Sequence, residues 1–511
     1  MAFVNHSISR GLLCAALLAP ASVMATNGMD NEGYGPISTA MGGAGQAFDN
    51  GSAAVMNNPA TITLMTSGSS RLDFALGMLQ PKVSSSMNGM PTADSAADRF
   101  IMPAMGYLRS MGSWTLGAGV FAQGGMGTDY EKSSFLSAGS GNPAMSQVGV
   151  GRFSVPVGYR MNEKLGLGLT MDYVWANMDV EMAMAGAGQF ASFISSMGGS
   201  QALGSASGSM VDALGGAVMA GQLSMPSQDY ASNPMAAGPV NWAHFSFCDD
   251  SDFTGQATGG GMAMKLGALY TVSDQWTVGL SYHGATALSD LEADGACMSM
   301  SANFDDALLA QQWNGIPEGA PGNQGAPAGS YSAVTVPVSG KITVKDFQWP
   351  AQMALGLAYR PSQAWLVAMD LKQIGWSSVM ENFNLSFKAD ATQANPMAMG
   401  FAGTSMDMAL KQNWDDQLVM ALGAAWAWNE DLTLRFGFNH ASNPVPDQYL
   451  NPLFPAIVEN HYTLGAGYRI GSHHQLNGSM QLVPEAKNTS ASGVVSTHSQ
   501  TNFQLMYSFG F

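Results

Sequence analysis

The residues that could do chemistry in this 511-residue chain indicate binding rather than catalysis. The sequence holds neither the zinc-protease motif HExxH nor the serine-hydrolase motif G-x-S-x-G. Its adjacent histidines, His473 and His474, fall in a short predicted turn, where a solvated pair is the ordinary interpretation. We therefore expect no catalytic residue, no metal site and no cofactor.

The chemistry that the sequence favours is the capture of an apolar ligand in the stretch 182–256. Between Ala185 and Leu223 the single charged residue is Asp212. Apolar residues recur there at the spacing of one helical face, and they are Phe190, Phe193, Ile194 and Met197, then Met210, Leu214, Ala217 and Val218. Methionine side chains adapt to ligands of varied shape, so these faces could form a binding surface. The alternative is that they pack on one another or on the rim of the fold.

Cys248 and Cys297 are candidates for a disulfide. The third cysteine, Cys14, lies in a predicted secretory signal peptide at 1–25, where Arg10 precedes an apolar run and Val23-Met24-Ala25 supplies a small-residue cleavage site. An even number of cysteines in an oxidising compartment favours a bridge. Two free thiols are the alternative, because bridge geometry does not follow from sequence.

Composition excludes several functional classes. Charged residues make up 11% of the chain, against about 25% in soluble domains, and glycine contributes 61 residues. The net charge of −17 argues against nucleic acid as a partner, since nucleic acid needs a basic surface. No stretch offers about 18 continuous apolar residues, so no transmembrane helix is expected.

The elements that must position these residues are β-strands. In the final segment 503–511, Phe503, Leu505, Tyr507, Phe509 and Phe511 alternate with other residues, which is the period of a strand. An aromatic face that continues to the last residue is typical of a chain that closes a membrane barrel, because an open edge cannot face lipid. An ordinary edge strand is the alternative.

The connections between predicted strands alternate in length. Tight turns are predicted at 109–113, 160–164, 272–275, 360–363, 428–431 and 470–475. Long polar or glycine-rich stretches are predicted at 84–99, 125–147, 182–256, 291–333, 389–413, 442–459 and 488–500. Outer-membrane barrels combine short periplasmic turns with long extracellular loops. Six turns and seven loops join fourteen strands, so we predict an all-β, fourteen-stranded antiparallel transmembrane β-barrel at 71–511 with partly helical extracellular loops.

The segment 26–70 precedes the first strand and does not alternate. It is poor in charge and rich in small residues, which favours a plug folded into the lumen over a disordered periplasmic tail. Its glycines Gly42, Gly43 and Gly45 would permit close backbone contact with the wall. Asn58 and Pro59, followed by Ala60, predict a fixed turn.

The chain resembles the FadL-type outer-membrane transporters of long-chain fatty acids and hydrophobic compounds. The resemblance covers nearly all of the predicted mature chain. It rests on GGAGQAFDNGSAAVMNNPA in the predicted plug, ALGLAYR at 354–360, SNPVPDQYLNPLFPAIVENHYTLGAGYR at 442–469 and the aromatic end. It implies a fourteen-stranded barrel with an N-terminal hatch, a multi-pass protein in the outer membrane of a Gram-negative bacterium, and transport rather than catalysis.

The resemblance also implies a route for the ligand. An external apolar groove between the loops near 182–256 and 291–335 would capture it, and a kinked third strand, for which Gly124 and Gly125 are the natural sites, would release it sideways. The alternative is that this strand ends at Gly124. Family members that take fatty acids carry basic residues on the fifth strand, whereas the predicted strand 165–180 has no Lys or Arg and places Trp175 and Asn177 in that region. Four lysines elsewhere remain possible carboxylate partners, namely Lys265, Lys341, Lys345 and Lys372. The favoured alternative is that each is an ordinary charge of the lumen or rim.

We therefore expect uptake of hydrophobic molecules, with long-chain fatty acids as the first interpretation and neutral or aromatic hydrocarbons as the alternative. A general porin and an outer-membrane lipid-modifying enzyme are weaker alternatives. The expected partners are a hydrophobic small molecule, outer-membrane lipid with lipopolysaccharide, and the barrel-assembly machinery through Phe511. A monomer is expected.

Overall fold

The computed structural model describes residues 27–186, 189–197, 199–224, 239–247, 257–306, 309 and 331–511. The predicted signal peptide and Cys248 lie outside the described residues. Among the described residues, no helix is both long and apolar enough to cross a membrane.

Strands make up most of the described chain, and they are numbered in chain order. They are β1 (Ser70–Ser86), β2 (Ala93–Asp94), β3 (Phe100–Met111), β4 (Trp114–Tyr130), β5 (Ala144–Arg160), β6 (Leu165–Ala185), β7 (Gly204–Ser207), β8 (Val240–Ser246), β9 (Ala257–Thr271), β10 (Trp276–His283), β11 (Ala287–Leu288), β12 (Leu291–Asp305), β13 (Tyr331–Lys345), β14 (Gln352–Ser362), β15 (Trp365–Ile374), β16 (Asn382–Ala389), β17 (Ser405–Lys411), β18 (Gln417–Ala427), β19 (Leu432–Ala441), β20 (Asn460–Ile470), β21 (His474–Thr489) and β22 (Val495–Gly510).

The helices are short. The α-helices are α1 (Gly35–Thr39), α2 (Ala54–Asn57) and α3 (Ser209–Met219). The 3-10 helices are Pro59–Leu64, Phe135–Ser137, Phe190–Phe193, Ser195–Met197, Trp376–Ser378, Pro396–Phe401 and Asp447–Tyr449.

The wall is a closed antiparallel barrel. Its pairing runs from β1 through β3, β4, β5, β6, β9, β10, β14, β15, β18, β19, β20, β21 and β22, and β22 pairs back onto β1. Closure leaves no free edge in the ring, as a lipid environment requires.

Alternation along each strand explains why these residues form a membrane wall. In β14, Met353, Leu355 and Leu357 are 58%, 52% and 37% exposed, whereas the small residues that alternate with them, Ala354, Gly356 and Ala358, are buried. The exposed apolar band faces outward to lipid and the small residues face the interior. The last strand follows the same pattern, with Phe503, Leu505 and Tyr507 exposed.

The six predicted tight turns occur at one end of the barrel, as connections of two to four residues. Aromatic rings pair across neighbouring strands beside these turns, as Trp276 does with Tyr359 at 4.1 Å and Trp365 with Trp426 at 5.6 Å. Aromatic girdles mark membrane interfaces, and short turns face the periplasm in outer-membrane barrels. This end is therefore the periplasmic end.

The predicted long loops are partly strand. β21 and β22 are joined by only five residues, so the predicted loop 488–500 is mostly strand. Residues 291–305 and 331–345 form the antiparallel pair β12 and β13, which pairs further with β8 and β16. The predicted helical face at 190–197 is wrong, because this stretch forms two 3-10 turns, whereas the second face lies on α3 as predicted.

Candidate functional site

Residues 27–69, here called the lumenal segment, are buried along most of their length and form hydrogen bonds with several wall strands. Gly42 shows why glycine is needed there. Its N–H donates to Thr463 Oγ1 at 3.0 Å, and its carbonyl accepts from Asn439 Nδ2 at 2.9 Å. Its φ is +69°, and a Cβ would lie 2.4 Å from the carbonyl oxygen of Phe438, so any side chain would push the segment off the wall.

The other predicted plug residues contact different strands. The N–H of Gly45 donates to Asp370 Oδ2 of β15 at 2.7 Å. Asn58 accepts from the N–H of Ala60 at 3.0 Å and donates to the carbonyl of Ala268 of β9 at 3.2 Å, and Pro59 begins a 3-10 helix. With Gly42 held by β19 and β20, the segment therefore contacts strands in separate parts of the ring.

Asp30 is the centre of a buried polar cluster near the start of the lumenal segment. Its side chain is completely buried. Donors from the wall and from the segment converge on the carboxylate, namely Tyr34 Oη at 2.7 Å, Gln123 Nε2 at 2.6 Å, Trp349 Nε1 at 3.4 Å, Gln352 Nε2 at 3.0 Å and Lys372 Nζ at 3.4 Å. One carboxylate therefore ties this end of the segment to β4, to β14 and β15, and to Trp349 in the connection between β13 and β14.

The start of the segment also pairs with β4 at the predicted kink. Asp30 forms an isolated antiparallel bridge with Gly124, and the N–H of Gly125 donates to the carbonyl of Met29 at 2.9 Å. A Cβ on Gly124 would lie 2.1 Å from that carbonyl oxygen. The register of β4 against β5 shifts between Ala122 and Gly124, and β4 continues to Tyr130, so the strand does not end at the glycines.

The wall is unpaired between β3 and β4 next to this irregularity. Pairing of the two strands ends at Met105 with Val120. Among the described residues, the next backbone bridge joins Ser95, which precedes β3, to Tyr130 at the far end of β4. Pro103, which lacks an N–H donor, lies on the part of β3 that pairs with β1 but not with β4. We call this interval, from Phe121 towards Tyr130, the lateral gap.

A cavity lies behind the lateral gap. Its volume is about 50 Å³, which is smaller than an ordinary small-molecule site, so its walls would have to move apart around a ligand. Its walls combine the gap strands with the lumenal segment and β1, among them Met102, Phe121, Tyr34, Ala53 and Gly77. The lining is mostly apolar, so the cavity could hold a hydrophobic molecule between the lumen and the lipid.

The predicted groove residues are buried in the large apolar cluster beneath the extracellular loops. Phe190, Ile194, Met210 and Leu214 are completely buried, Phe193 is 6% exposed, and Met197 packs against the cluster half-buried. The structure thus brings all six together, but as packed residues rather than as an open surface.

A small apolar chamber lies within the same cluster. It holds only about 10 Å³ between β6, β8, β13, β16 and β17, so a ligand would need the surrounding side chains to move, and we call it the apolar chamber. Its lining is apolar apart from one serine, and it includes Met182, Phe245, Phe247, Met406 and Met408. The chamber is a hydrophobic volume between the loops and the lumen.

Each of the four candidate lysines forms an ion pair. Lys265 lies 2.6 Å from Asp172, which also binds Arg152 at 2.9 Å, and all three side chains are at most 2% exposed. Lys372 lies 3.4 Å from Asp30. At the exposed loops, the two remaining pairs are Lys341 with Glu292 at 2.6 Å and Lys345 with Asp407 at 2.7 Å.

Cys297 is disulfide-bonded in the structure. It lies on β12 opposite Ser339 of β13, within the extracellular sheet. Its predicted partner Cys248 lies outside the described residues, so the proposed bridge of these two residues remains a prediction.

Several residues of the site were not identified from the sequence. Asp30 was missed because its partners lie up to 342 positions away along the chain. Pro103 was a usable signal, since proline within a strand indicates an interrupted ladder. The chamber residues on β8 and β17 gave no signal, because only the pairing of the extracellular strands brings them together.

Comparison with known proteins identifies the family. The model of the family described as outer membrane protein transport protein (OMPP1/FadL/TodX) matches residues 12–508. The chain belongs to this family.

Two toluene transporters of the OMPP1/FadL/TodX family have similar structures. The toluene transporter TodX of Pseudomonas putida is 26% identical with a TM-score of 0.71, and the match covers 94% of this chain and 99% of that chain. The toluene transporter TbuX of Ralstonia pickettii is 25% identical with a TM-score of 0.67 over the same shares of the two chains.

Two further proteins match this chain either at lower identity or over a shorter length. A FadL homologue of Pseudomonas aeruginosa shares the fold, at 14% identity and a TM-score of 0.63 over 94% of this chain and 99% of that chain. An uncharacterised protein of Chlorobium limicola is 46% identical over 80 residues, which span 16% of this chain and only 39% of that relative. Membership of the OMPP1/FadL/TodX family places this barrel in the outer membrane and assigns it to transport proteins rather than to enzymes.

Proposed function

We propose that the protein takes up neutral hydrophobic molecules across the outer membrane, with aromatic hydrocarbons as the main class. The supporting observation is the charge of the buried interior. Among the described residues, the buried carboxylates are Asp30, Glu32, Asp73, Asp172, Asp179, Asp306 and Asp370, against the buried cations Arg152, Lys265 and Arg435. An acidic interior repels the carboxylate of a fatty acid and leaves a neutral hydrocarbon unaffected.

The ion pairs support the same substrate class. Lys265 and Lys372 are the candidate lysines nearest the lumenal segment, and a carboxylate already holds each of them. A fatty acid would have to displace Asp172 or Asp30 to reach these cations, which would leave a buried carboxylate unpaired. The similar structures of two proteins described as toluene transporters favour aromatic hydrocarbons independently.

The proposed route uses three apolar volumes in sequence. An extracellular groove near Phe190, Phe193 and Met197 takes the molecule from the lipopolysaccharide layer, and the apolar chamber receives it. The cavity behind the lateral gap then passes it sideways into the lipid. An apolar path is needed because a hydrophobic solute gains nothing from entering a water-filled pore. The loops above the groove residues have to open, since the structure buries these side chains.

We further propose that the fourteen strands of the closed ring are the membrane-spanning strands and that the lumenal segment plugs them. Contacts of the segment with β9, β15, β19 and β20 support the plug. A general porin, which needs no such segment, is accordingly disfavoured. Long-chain fatty acids, our first interpretation from the sequence, remain the alternative substrate.

Comparison of toluene with oleate tests the substrate class. The assay uses whole cells of a host that has an intact lipopolysaccharide layer and lacks a family member, because toluene crosses plain phospholipid unaided. We expect the protein to raise the initial rate of labelled toluene uptake over a vector control. Its effect on oleate should be smaller by about tenfold or more, since an unpaired buried charge costs several kcal/mol. Equal or greater stimulation of oleate uptake would assign the path to fatty acids.

A further inference from the structure

A second cavity lies at the periplasmic end and shares no lining residue with the cavity behind the lateral gap. It is an open cavity of about 200 Å³ between the lumenal segment and the wall strands β14, β15, β18 and β19. Its apolar lining includes Ile37, Met41 and Phe48 of the segment and Leu366 of β15. We call it the basic cavity, because two arginines face it.

Arg435 is the principal cation of the basic cavity. It is 8% exposed, and its hydrogen-bond partner among the described residues is the neutral Asn477, with Nη1 donating to Oδ1 at 3.2 Å. The guanidinium lies close over Gly467, where a Cβ would be 2.8 Å from Nη1. Within the described part of the chain, no carboxylate forms an ion pair with Arg435.

The remaining charges do not neutralise the basic cavity. Arg360 is half-buried on its lining and, among the described residues, also has no ion pair. The carboxylate of the cavity, Asp49, is already held by both nitrogens of Arg71, at 2.7 Å and 2.8 Å. Two cations thus face one apolar volume in a chain whose net charge is −17.

A buried guanidinium without a counter-ion is unfavourable, whereas an anion in its reach would form charge-assisted hydrogen bonds. The planar guanidinium fork matches a carboxylate or a phosphate in two-point geometry. The apolar lining beside it would remove a hydrocarbon chain from water. The guanidinium and the apolar lining together favour a molecule that has an anionic head group on an apolar chain.

We propose that the basic cavity is a periplasmic binding site for an anionic amphiphile, with Arg435 binding the head group and Ile37, Met41 and Phe48 contacting the chain. This site is separate from the hydrocarbon path, which runs through acidic and apolar surroundings on the other side of the lumenal segment. A free fatty acid and a lipid with a phosphate head group share the required chemistry.

Titration calorimetry of the full-length protein in a non-ionic detergent tests the proposal. The probes are dodecanoate, dodecyl phosphate and dodecanol, which share one chain and differ in the head group. The variants are Arg435→Gln and, as a matched control, Arg469→Gln, since Arg469 is an exposed arginine near the same end of the neighbouring strand β20. Arg435→Gln should fold at least as stably as the parent, because it removes an unpaired buried charge.

We expect Arg435→Gln to weaken binding of the anionic probes by about tenfold or more, the size of a lost charge-assisted hydrogen bond. Arg469→Gln should bind them as the parent does, dodecanol should bind weakly and equally to all three proteins, and toluene uptake should be unchanged in both variants. Tighter binding of dodecyl phosphate would indicate a lipid head group, and tighter or equal binding of dodecanoate a free fatty acid. Equal binding of dodecanoate and dodecanol, or anion binding that survives Arg435→Gln, would overturn the proposal.

Discussion

Gly77→Trp is expected to reduce toluene uptake to the level of the vector control while the barrel still assembles. Gly77 lies on β1 and lines the cavity behind the lateral gap. A Cβ there would have its nearest neighbours in the side chain of Met102 at 3.4 Å and 3.5 Å, which is ordinary contact distance. The side chain can therefore leave β1 without a clash at its Cβ, and the indole would fill the volume through which the molecule has to pass. Aromatic residues also suit a strand better than glycine does.

Gly478→Trp is the matched control for this result. Gly478 lies on β21 and its nearest side-chain atom belongs to Leu505, which is 53% exposed on the outer face. The same substitution there adds an indole towards lipid and should leave uptake unchanged. Assembly of both variants is checked by the heat-dependent gel shift of folded barrels. Normal uptake by correctly assembled Gly77→Trp would separate this cavity from the transport path.

Asp30→Ala is expected to make the barrel leak small ions. The substitution removes the acceptor shared by Tyr34, Gln123, Trp349 and Lys372. Breaking a buried ion pair costs about 3–5 kcal/mol, so the start of the lumenal segment should detach from β4 at least about a hundredfold more often. Single-channel recording in planar bilayers should show frequent openings for the variant and a quiet trace for the parent.

Asp49→Ala is the control within the same lumenal segment. Asp49 pairs with Arg71 at 38% and 26% side-chain exposure, and exposed pairs contribute little to stability. Its trace should resemble that of the parent. Gly124→Ala should also increase the frequency of channel openings, because its Cβ would collide with the carbonyl of Met29. A quiet trace for both Asp30→Ala and Gly124→Ala would show that contacts elsewhere hold the plug.

The wall could be predicted from the sequence because it follows local rules. A strand with lipid on one face and the barrel interior on the other alternates large apolar and small residues with a period of two, as β14 does. Chain reversal between neighbouring strands requires tight turns, which carry their own residue types. Gly42 and Asn58 could also be identified, since a close backbone approach and a fixed turn each demand particular residue types. These features depend on neighbours a few positions away.

The extracellular part depends on distant neighbours and was predicted less well. The spacing from Phe190 to Met197 fits a helical face, yet this stretch forms 3-10 turns whose residues are buried by packing against strands far away in the sequence. Strand β8, which pairs with both β6 and β12, was assigned to a loop. Asp30 gave no local signal, because its importance comes from five donors gathered by the closure of the barrel.

We propose that a neutral hydrocarbon leaves through the lateral gap, and a reversible bridge across the gap is the sharpest test of this exit. Met102 and Phe121 lie on β3 and β4, and both line the cavity. Cysteines at these two positions, in a background with Cys248 and Cys297 replaced by serine, are joined by a reducible bifunctional thiol reagent.

A second bridge, between Val419 and Ala441, controls for cross-linking as such, since these residues are buried register partners on β18 and β19. The measurement is the initial rate of toluene uptake by whole cells before bridging, after bridging and after reduction. We expect the bridge across the gap to abolish uptake, reduction to restore it, and the control bridge to have no effect. Unchanged uptake by protein that is fully bridged across the gap would contradict this exit.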